Sequence, residues 1–177
     1  MRSDLQKAWN AAGKMGFATR KPPGPEVIEP ALRPEETVLS ILRGWKDGTQ
    51  PCTLVLTDTQ LYFFSYAVLK SLSNEESVPF KLITGVELAQ AIVTGLEVRI
   101  SRSGNNDKIT NVDKSVAKDF VSKLRELLTT AEDMSNKVKA QTIDPADQLM
   151  KLKELLDSGV ITEEEFQQKK AILLGRL

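Results

Sequence analysis

The amino-acid sequence predicts an α+β protein, in which a barrel-like sheet of seven strands is capped by a C-terminal helix and followed by a two-helix hairpin tail. Three observations lead to this prediction. Between residues 37 and 111, short apolar segments are separated by turn residues, as in consecutive antiparallel strands. An amphipathic helical pattern follows from residue 113. The last 34 residues then carry helix start and stop signals of their own.

The composition excludes several classes of protein. Lys plus Arg and Asp plus Glu are both 24, so no overall charge attracts nucleic acid or acidic lipid. Cys52 is the only cysteine and histidine is absent, which excludes an internal disulfide, the usual Ser-His and Cys-His nucleophiles, and Cys/His zinc sites. We therefore expect no catalytic residue, no metal and no cofactor. Since the sequence has neither a signal peptide nor an apolar run long enough to span a membrane, we expect a cytoplasmic protein.

The N-terminal segment, residues 1–34, begins with a predicted helix from Ser3 to Met15. Leu5, Trp9 and Ala12 share one side of it, and Ser3 or Asp4 is the predicted N-cap. Residues 1–21 contain five basic residues and one acidic residue, so the helix could lie on an anionic membrane. Because the apolar stripe is short, we favour docking on the protein's own barrel or on a partner subunit.

Five of the eight prolines lie between Pro22 and Pro34. Proline fixes φ and removes a backbone donor, so this stretch is predicted to be an extended linker rather than a helix or a central strand. A ligand for PxxP-binding domains is the less favoured alternative.

Residues 35–130 are predicted to form the barrel and its capping helix. The first hairpin turns at 46–48, and the apolar runs begin near residues 38, 53, 61, 78, 83, 96 and 108. Along 61–66, Tyr62, Phe64 and Tyr66 alternate with Leu61 and Phe63, so both faces of this strand are apolar. We expect one face to be covered by the N-terminal helix or by the tail. At 77–82, Val78, Phe80 and Leu82 alternate with polar residues and predict another strand.

Asp113 is the predicted N-cap of the capping helix. Val116, Phe120, Leu124 and Leu127 form its apolar stripe, which suits a helix that plugs the open end of a sheet. Residues 131–143 are mostly polar, and either a linker or a solvated continuation of the helix fits them. We favour the linker.

Residues 144–177 are predicted to form a helical hairpin. Asp144 and Pro145 begin the first helix, Gly159 ends it, and Thr162 with Glu165 forms a capping box for the second helix. A unit this small cannot bury a stable core alone, so its apolar residues must contact another surface. That surface is the barrel, another protein or, as we favour, the tail of a second copy. The predicted contact residues are Leu149, Leu152, Leu156, Val160, Ile161 and Phe166.

The tail resembles the SHOCT (short C-terminal) domain. The resemblance covers 149–166, read as LMKLKELLDSGVITEEEF, and continues through Lys169, Lys170, Leu173, Leu174 and Gly175. Domains of this family end many unrelated bacterial proteins, and the resemblance implies a role in oligomerisation.

Residues 35–128 resemble the YokE-like bacterial PH domains. The matching segments are Thr57-Asp58 before 61–64, Val78-Pro79-Phe80 with 83–86, and 111–113 before the helix. Gln60 stands where the family usually has a basic residue. The resemblance implies a PH-like barrel of about seven strands with a capping helix and no established catalytic activity.

Together these features predict a non-enzymatic binding or scaffold protein, whose PH-like module recognises a protein or peptide and whose tail forms homo-oligomers. The alternative is a peripheral membrane protein that uses the basic N-terminus. Arg43 and Lys46 lie beside Asp47 and make a poor phosphate site, so lipid headgroups and nucleic acid are not favoured partners. Cys52 is predicted to pack in the core. The candidate interaction residues of the barrel are Arg43, Trp45, Lys46, Tyr62, Phe64 and Tyr66.

Overall fold

The structure is a computed structural model that describes residues 1–13, 22–66, 73–91, 95–141 and 145–174. The chain divides into two compact units, Met1–Glu132 and Asp133–Leu177.

The first unit contains two N-terminal helices, a seven-stranded sheet and the start of a long helix. The helices are α1 (Ser3–Ala11), α2 (Pro25–Ile28) and α3 (Lys114–Gln141), and 3-10 turns lie at Glu29–Ala31 and Phe80–Leu82. The strands are β1 (Val38–Lys46), β2 (Gln50–Thr57), β3 (Gln60–Tyr66), β4 (Ser73–Pro79), β5 (Ile83–Ala91), β6 (Gly95–Arg102) and β7 (Asn105–Thr110).

All neighbouring strands are antiparallel, in the order β4-β3-β2-β1-β7-β6-β5. Strand β1 pairs with β2 along most of its length but with β7 only at Trp45 and Lys46, so this junction joins the β1–β4 meander to the β5–β7 meander. Strands β4 and β5 are the edges. The predicted α+β class with seven strands and a following helix is confirmed.

The inner core lies between the sheet and α3. Leu42, Leu54 and Phe63 point from the strands to meet Phe120 and Leu124 of the helix, and all five are buried. The predicted N-cap is present, because Asp113 Oδ1 accepts hydrogen bonds from the backbone N–H of Ser115 at 2.9 Å and of Val116 at 3.1 Å. These local bonds fix where the helix begins.

An outer core covers the opposite face of β1–β3. Leu5 of α1 and Ile28 of α2 are fully buried there against Ile41, Val55 and Phe64. The predicted docking of the N-terminal helix on the protein's own sheet is what the structure shows. Trp9 packs at the margin of this cluster.

Two predictions for the N-terminal segment are wrong. Residues 22–34 are not an extended linker, because Pro25 lies in the first turn of α2, where a missing N–H costs nothing, and Ile28 and Leu32 are buried. Neither Ser3 nor Asp4 caps α1, whose N-cap position is Arg2. The Asp4 carboxylate is instead bonded to the backbone N–H of Val38 at 2.9 Å and to the Arg2 guanidinium. The predicted helix end near Met15 lies outside the described residues.

Two further boundaries differ from the predictions. Residues 131–141 are helical rather than a linker, since α3 continues to Gln141; this stretch contains good helix formers and neither glycine nor proline. Leu82 does not continue a strand after Val78. Strand β4 ends at Pro79 and a 3-10 turn follows, in which Leu82 is exposed.

The second unit contains a helical hairpin, in which α4 (Pro145–Asp157) packs against α5 (Glu163–Leu174). The N–H of Val160 bonds to the Leu155 carbonyl and the N–H of Gly159 to that of Leu156, while Gly159 has φ +72°, a Schellman ending for α4. The capping box of α5 is reciprocal: Thr162 N–H donates to Glu165 Oε2, and Glu165 N–H donates to Thr162 Oγ1. The predicted cap at Asp144 lies outside the described residues.

Within the described part of the chain, none of the helices is both long enough and apolar enough to cross a membrane.

The junction of β1 with β7 generates a stability prediction. A Cβ at Gly44 would lie 2.7 Å from Ile109 Cγ2 and 2.7 Å from the Thr110 carbonyl oxygen, whereas one at Gly85 would meet only Ser101 Cβ at 4.0 Å. We expect Gly44→Ala to lower the free energy of unfolding by about 2 kcal/mol through overpacking, and Gly85→Ala to change it by less than about 0.5 kcal/mol. Urea denaturation measures both. Equal effects of the two changes would contradict this account of the junction.

Candidate functional site

Cys52 lies on β2 in the inner core and is fully buried. Burial raises the pKa of its thiol to about 12, so the thiolate that a nucleophile needs is not formed at neutral pH. Cys52 therefore packs as a small apolar residue, in agreement with its predicted role. Among the described residues, no three His, Cys, Asp or Glu side chains converge as a metal site requires.

The aromatic edge proposed from the sequence is mostly a core. Tyr62 is 2% exposed and Phe64 0% exposed, and both lie under the N-terminal segment in the outer core. They cannot present an open binding edge while that segment is docked. Tyr66, at the end of β3, is half-buried.

A buried carboxylate organises the polar end of this outer core. Glu36 is 1% exposed and accepts hydrogen bonds from Thr59 Oγ1 at 2.6 Å, Gln60 Nε2 at 2.7 Å and Tyr62 Oη at 2.7 Å. Gln60, at the position where the resemblance implies a basic residue, is thus a buried donor to Glu36. The backbone carbonyl of Glu36 also accepts a hydrogen bond from the Arg2 guanidinium, which ties α1 to the same point.

The hydrogen bonds decide the charge state of Glu36. Burial alone would raise the pKa of this carboxyl group, but the donors from Thr59, Tyr62 and Gln60 outweigh burial and hold the pKa below its ordinary value. Burial and the bond to Glu36 raise the pKa of Tyr62 to about 12. Sequence reasoning missed Glu36, because its donors lie 23–26 residues away and no local motif marks it.

The first hairpin, proposed as an interaction site, places its residues on two sides of the sheet. The Arg43 guanidinium carbon lies 4.7 Å from the centre of the Trp9 ring, a cation–π contact with α1. Trp45 is half-buried, and among the described residues its indole N–H has no hydrogen-bond partner. Arg43 thus contacts the margin of the outer core, and the alternation along β1 places Trp45 on the same face of the strand.

Lys46 instead joins an ionic cluster with Asp107, Arg102 and Glu76. Its Nζ lies 2.8 Å from Asp107 Oδ1 and 3.8 Å from Glu76 Oε2. Arg102 Nε lies 2.6 Å from Asp107 Oδ2, and its guanidinium also bonds to Glu76. The cluster joins the ends of β1, β6 and β7 to the edge strand β4. The sequence indicated Lys46 but not its partners, which lie on three other strands.

In the tail, most of the predicted contact residues face the hairpin itself. Five of them are half-buried, and only Val160 is largely exposed, at 68%. The half-buried residues are Leu149, Leu152, Leu156, Ile161 and Phe166. Other large apolar side chains of the hairpin are the exposed ones: Met150 at 66%, Ile172 at 59% and Leu155 at 40%.

Residues 32–126, just over half of the chain, match the family model of the bacterial PH domain. The chain belongs to the bacterial PH domain family. The sheet of seven strands followed by α3 is therefore its PH domain, which confirms the resemblance noted in the sequence. Residues 147–174 match the model of the short C-terminal domain, so the α4–α5 hairpin is the SHOCT domain that the sequence indicated.

Three other proteins are similar to this chain. An uncharacterized protein from Archaeoglobus fulgidus is 21% identical over 182 residues, a match that covers 86% of this chain and 95% of that protein. A pleckstrin homology domain from Shewanella amazonensis is 17% identical, with a TM-score of 0.42, and the match covers 56% of this chain and 92% of that one. A DUF1696 family protein with a pleckstrin homology domain, from Shewanella loihica, is 18% identical with a TM-score of 0.38 and coverage of 59% and 86%.

The Glu36 network generates a prediction about pH and stability. Because the pKa of Glu36 is lowered in the folded state, its stabilisation is present above the ordinary Glu pKa of about 4.3 and is lost as the pH falls through the folded-state pKa. We expect Glu36→Gln to lower the free energy of unfolding at pH 7 by roughly 1–3 kcal/mol, because a buried acceptor is replaced by a group that also donates.

The matched control is Glu35→Gln, since the neighbouring Glu35 is exposed. Urea denaturation at several pH values between 7 and about 3 measures all three proteins. The difference between wild type and Glu36→Gln should shrink in acid. If both variants behave alike at every pH, the bonds from Thr59, Gln60 and Tyr62 to the Glu36 carboxylate do not stabilise the fold in the way described.

Proposed function

We propose that this chain is a cytoplasmic, non-enzymatic scaffold, in which the PH domain recognises a protein or peptide and the SHOCT tail joins copies of the chain. The observation that carries the proposal is the exposed apolar surface of the hairpin. After α4 and α5 have packed together, Met150, Val160 and Ile172 are each more than half exposed. A small helical unit with such residues gains stability when another surface covers them.

A second copy of the tail is the occupant that we propose for this surface. The charges of the hairpin favour this choice, because the acidic first turn of α5 (Glu163, Glu164 and Glu165) is followed by the basic Lys169 and Lys170 near the middle of the same helix. Two such helices in antiparallel contact would place opposite charges together. Linking two or more weakly binding PH domains in this way would increase avidity without new contacts at the domains.

The PH domain supports recognition of a protein or peptide through its sheet edges. Strands β4 and β5 each have one neighbour, and an unpaired edge can accept an extended segment by strand addition. On β4, the residues from Asn74 to Ser77 are exposed and polar. The buried, protonated thiol of Cys52 suits a reducing compartment and offers no chemistry for turnover.

The alternative, a peripheral membrane protein that uses the basic N-terminus, has less support. Leu5 and Ala8 are buried against the sheet rather than available to lipid. The Arg2 guanidinium is also engaged within the protein, since it donates hydrogen bonds to the Asp4 carboxylate and to the backbone carbonyls of Arg33 and Glu36. Membrane binding would first require α1 to leave the outer core.

Light scattering tests the role of the tail. We expect the full chain to have at least twice the mass of a monomer, and a chain that ends at Gln141 to be monomeric, because the truncation removes both helices of the hairpin. A double variant, Val160→Ser with Ile172→Ser, should weaken self-association by about tenfold or more through loss of apolar burial. The matched control is Lys151→Ser with Lys169→Ser, which changes exposed polar positions of the same hairpin.

A full chain that remains monomeric at high concentration would contradict assembly through the tail. The same number of copies per particle for the full and the truncated chain would also contradict it.

A further inference from the structure

Two cations converge on one aromatic ring at an end of the PH domain. Lys46, at the end of β1, has its Nζ 5.1 Å from the centre of the Phe63 ring, and the guanidinium carbon of Arg102, at the end of β6, lies 5.3 Å from the same ring. The side chains of Lys46 and Arg102 are 22% and 10% exposed. Two like charges held this close and largely out of water require anionic partners.

Asp107 is the permanent partner of these cations. Its side chain is 1% exposed, and its two oxygens lie 2.8 Å from Lys46 Nζ and 2.6 Å from Arg102 Nε. Among the residues that the structure describes, neither oxygen has a donor in hydrogen-bond geometry, so the attraction to the two cations is mainly electrostatic. One buried acid beside two cations leaves a charge of about +1 to be neutralised.

Glu76 supplies that remaining negative charge, and it differs from Asp107 in its setting. It lies on the edge strand β4, its side chain is 48% exposed, and it bonds to the Arg102 guanidinium while remaining 3.8 Å from Lys46 Nζ. The bond from Arg102 lowers the pKa of Glu76, so this carboxylate is ionised at neutral pH. Because the Glu76 side of this pair is half exposed, water and salt weaken the attraction from that side, and a competing anion can approach the Arg102 guanidinium there.

A cavity of about 290 Å³ opens beside this ion pair. It is bordered by Glu76 and Val78 of β4, by Arg102, and by the turn from Ser103 to Asn105. An acidic side chain that entered it would reach the Arg102 guanidinium from solvent.

We propose that this cavity binds an acidic side chain from an extended segment of a partner protein, and that Glu76 occupies the site in its absence. The inference rests on the proposed function and gives the chemistry of the partner. The segment would lie along the free edge of β4, where backbone groups can pair with it, and its Asp or Glu carboxylate would replace Glu76 at Arg102. Because the site lacks one unit of negative charge, it matches a carboxylate better than a phosphate dianion.

Glu76→Gln in the full chain tests the proposal, because it removes the competing carboxylate and leaves the cations in place. The probe is an acetylated, amidated pentapeptide of sequence TVEVT, and its control is the same peptide with glutamine, TVQVT. We expect the variant to bind TVEVT about tenfold tighter than wild type, and affinity should fall as ionic strength rises. NMR titration of amide shifts measures binding and shows that the variants are folded.

Matched variants separate this site from general charge effects. Glu75→Gln changes the neighbouring exposed acid on β4, which makes no ion pair among the described residues, and should bind TVEVT as wild type does. The double variant Glu76→Gln with Arg102→Lys keeps the positive charge but removes the planar pair of guanidinium donors. We expect it to lose most of the increase in affinity for TVEVT.

Three outcomes would overturn the proposal. The affinity for TVEVT could be the same in Glu76→Gln as in wild type, or Glu75→Gln could raise it by as much as Glu76→Gln does. The third outcome is that inorganic phosphate binds more tightly than TVEVT. The light-scattering mass of Glu76→Gln is measured in parallel. If that mass equals the wild-type oligomer and no peptide binds, this site is wrong while assembly through the tail stands.

Discussion

The central strands of the sheet are apolar on both faces, and this constraint shapes the first unit. Along β1 to β3, Leu42, Leu54 and Phe63 point to one side, while Ile41, Val55 and Phe64 point to the other. A sheet with water on one side would expose half of these residues. Two layers are therefore needed, and α3 supplies the inner one while α1 and α2 supply the outer one. Helices α1 and α2 thus pack on the PH domain as part of the first compact unit.

Because both faces of the sheet are covered, polar groups are also buried. Two buried carboxylates, those of Glu36 and Asp107, organise these polar groups. Glu36 is satisfied by three neutral donors, whereas Asp107 is balanced by two cations. The difference has consequences for function. The Glu36 network is complete, and it joins the residue before β1 to Thr59 and to strand β3. In the Asp107 cluster, the described residues leave one positive charge to be neutralised by the exposed Glu76, so we propose that another carboxylate can take the place of Glu76.

The two units of the chain have different roles in the function that we propose. The PH domain buries its apolar residues well and presents polar edges, so its contacts with a partner depend on backbone pairing and charge. The hairpin buries its apolar residues only partly. In the function that we propose, association of the tails covers the rest. If each PH domain binds its partner weakly, an assembly of several copies would bind more tightly than one copy. The apparent affinity would then depend on the concentration of the protein itself.

The sequence by itself determined the seven strands, the capping helix, the two helices of the tail and several of their ends. Asp113, Gly159 and the pair Thr162 and Glu165 act within a few residues of their own position, so a short stretch of sequence contains the whole interaction. Only the tertiary structure decided that α2 and the residues up to Leu32 fold onto the sheet. It also decided that Glu36 and Asp107 are the central polar residues. Their partners lie on other strands, often more than twenty residues away, and no local pattern records which distant groups the folded sheet brings together.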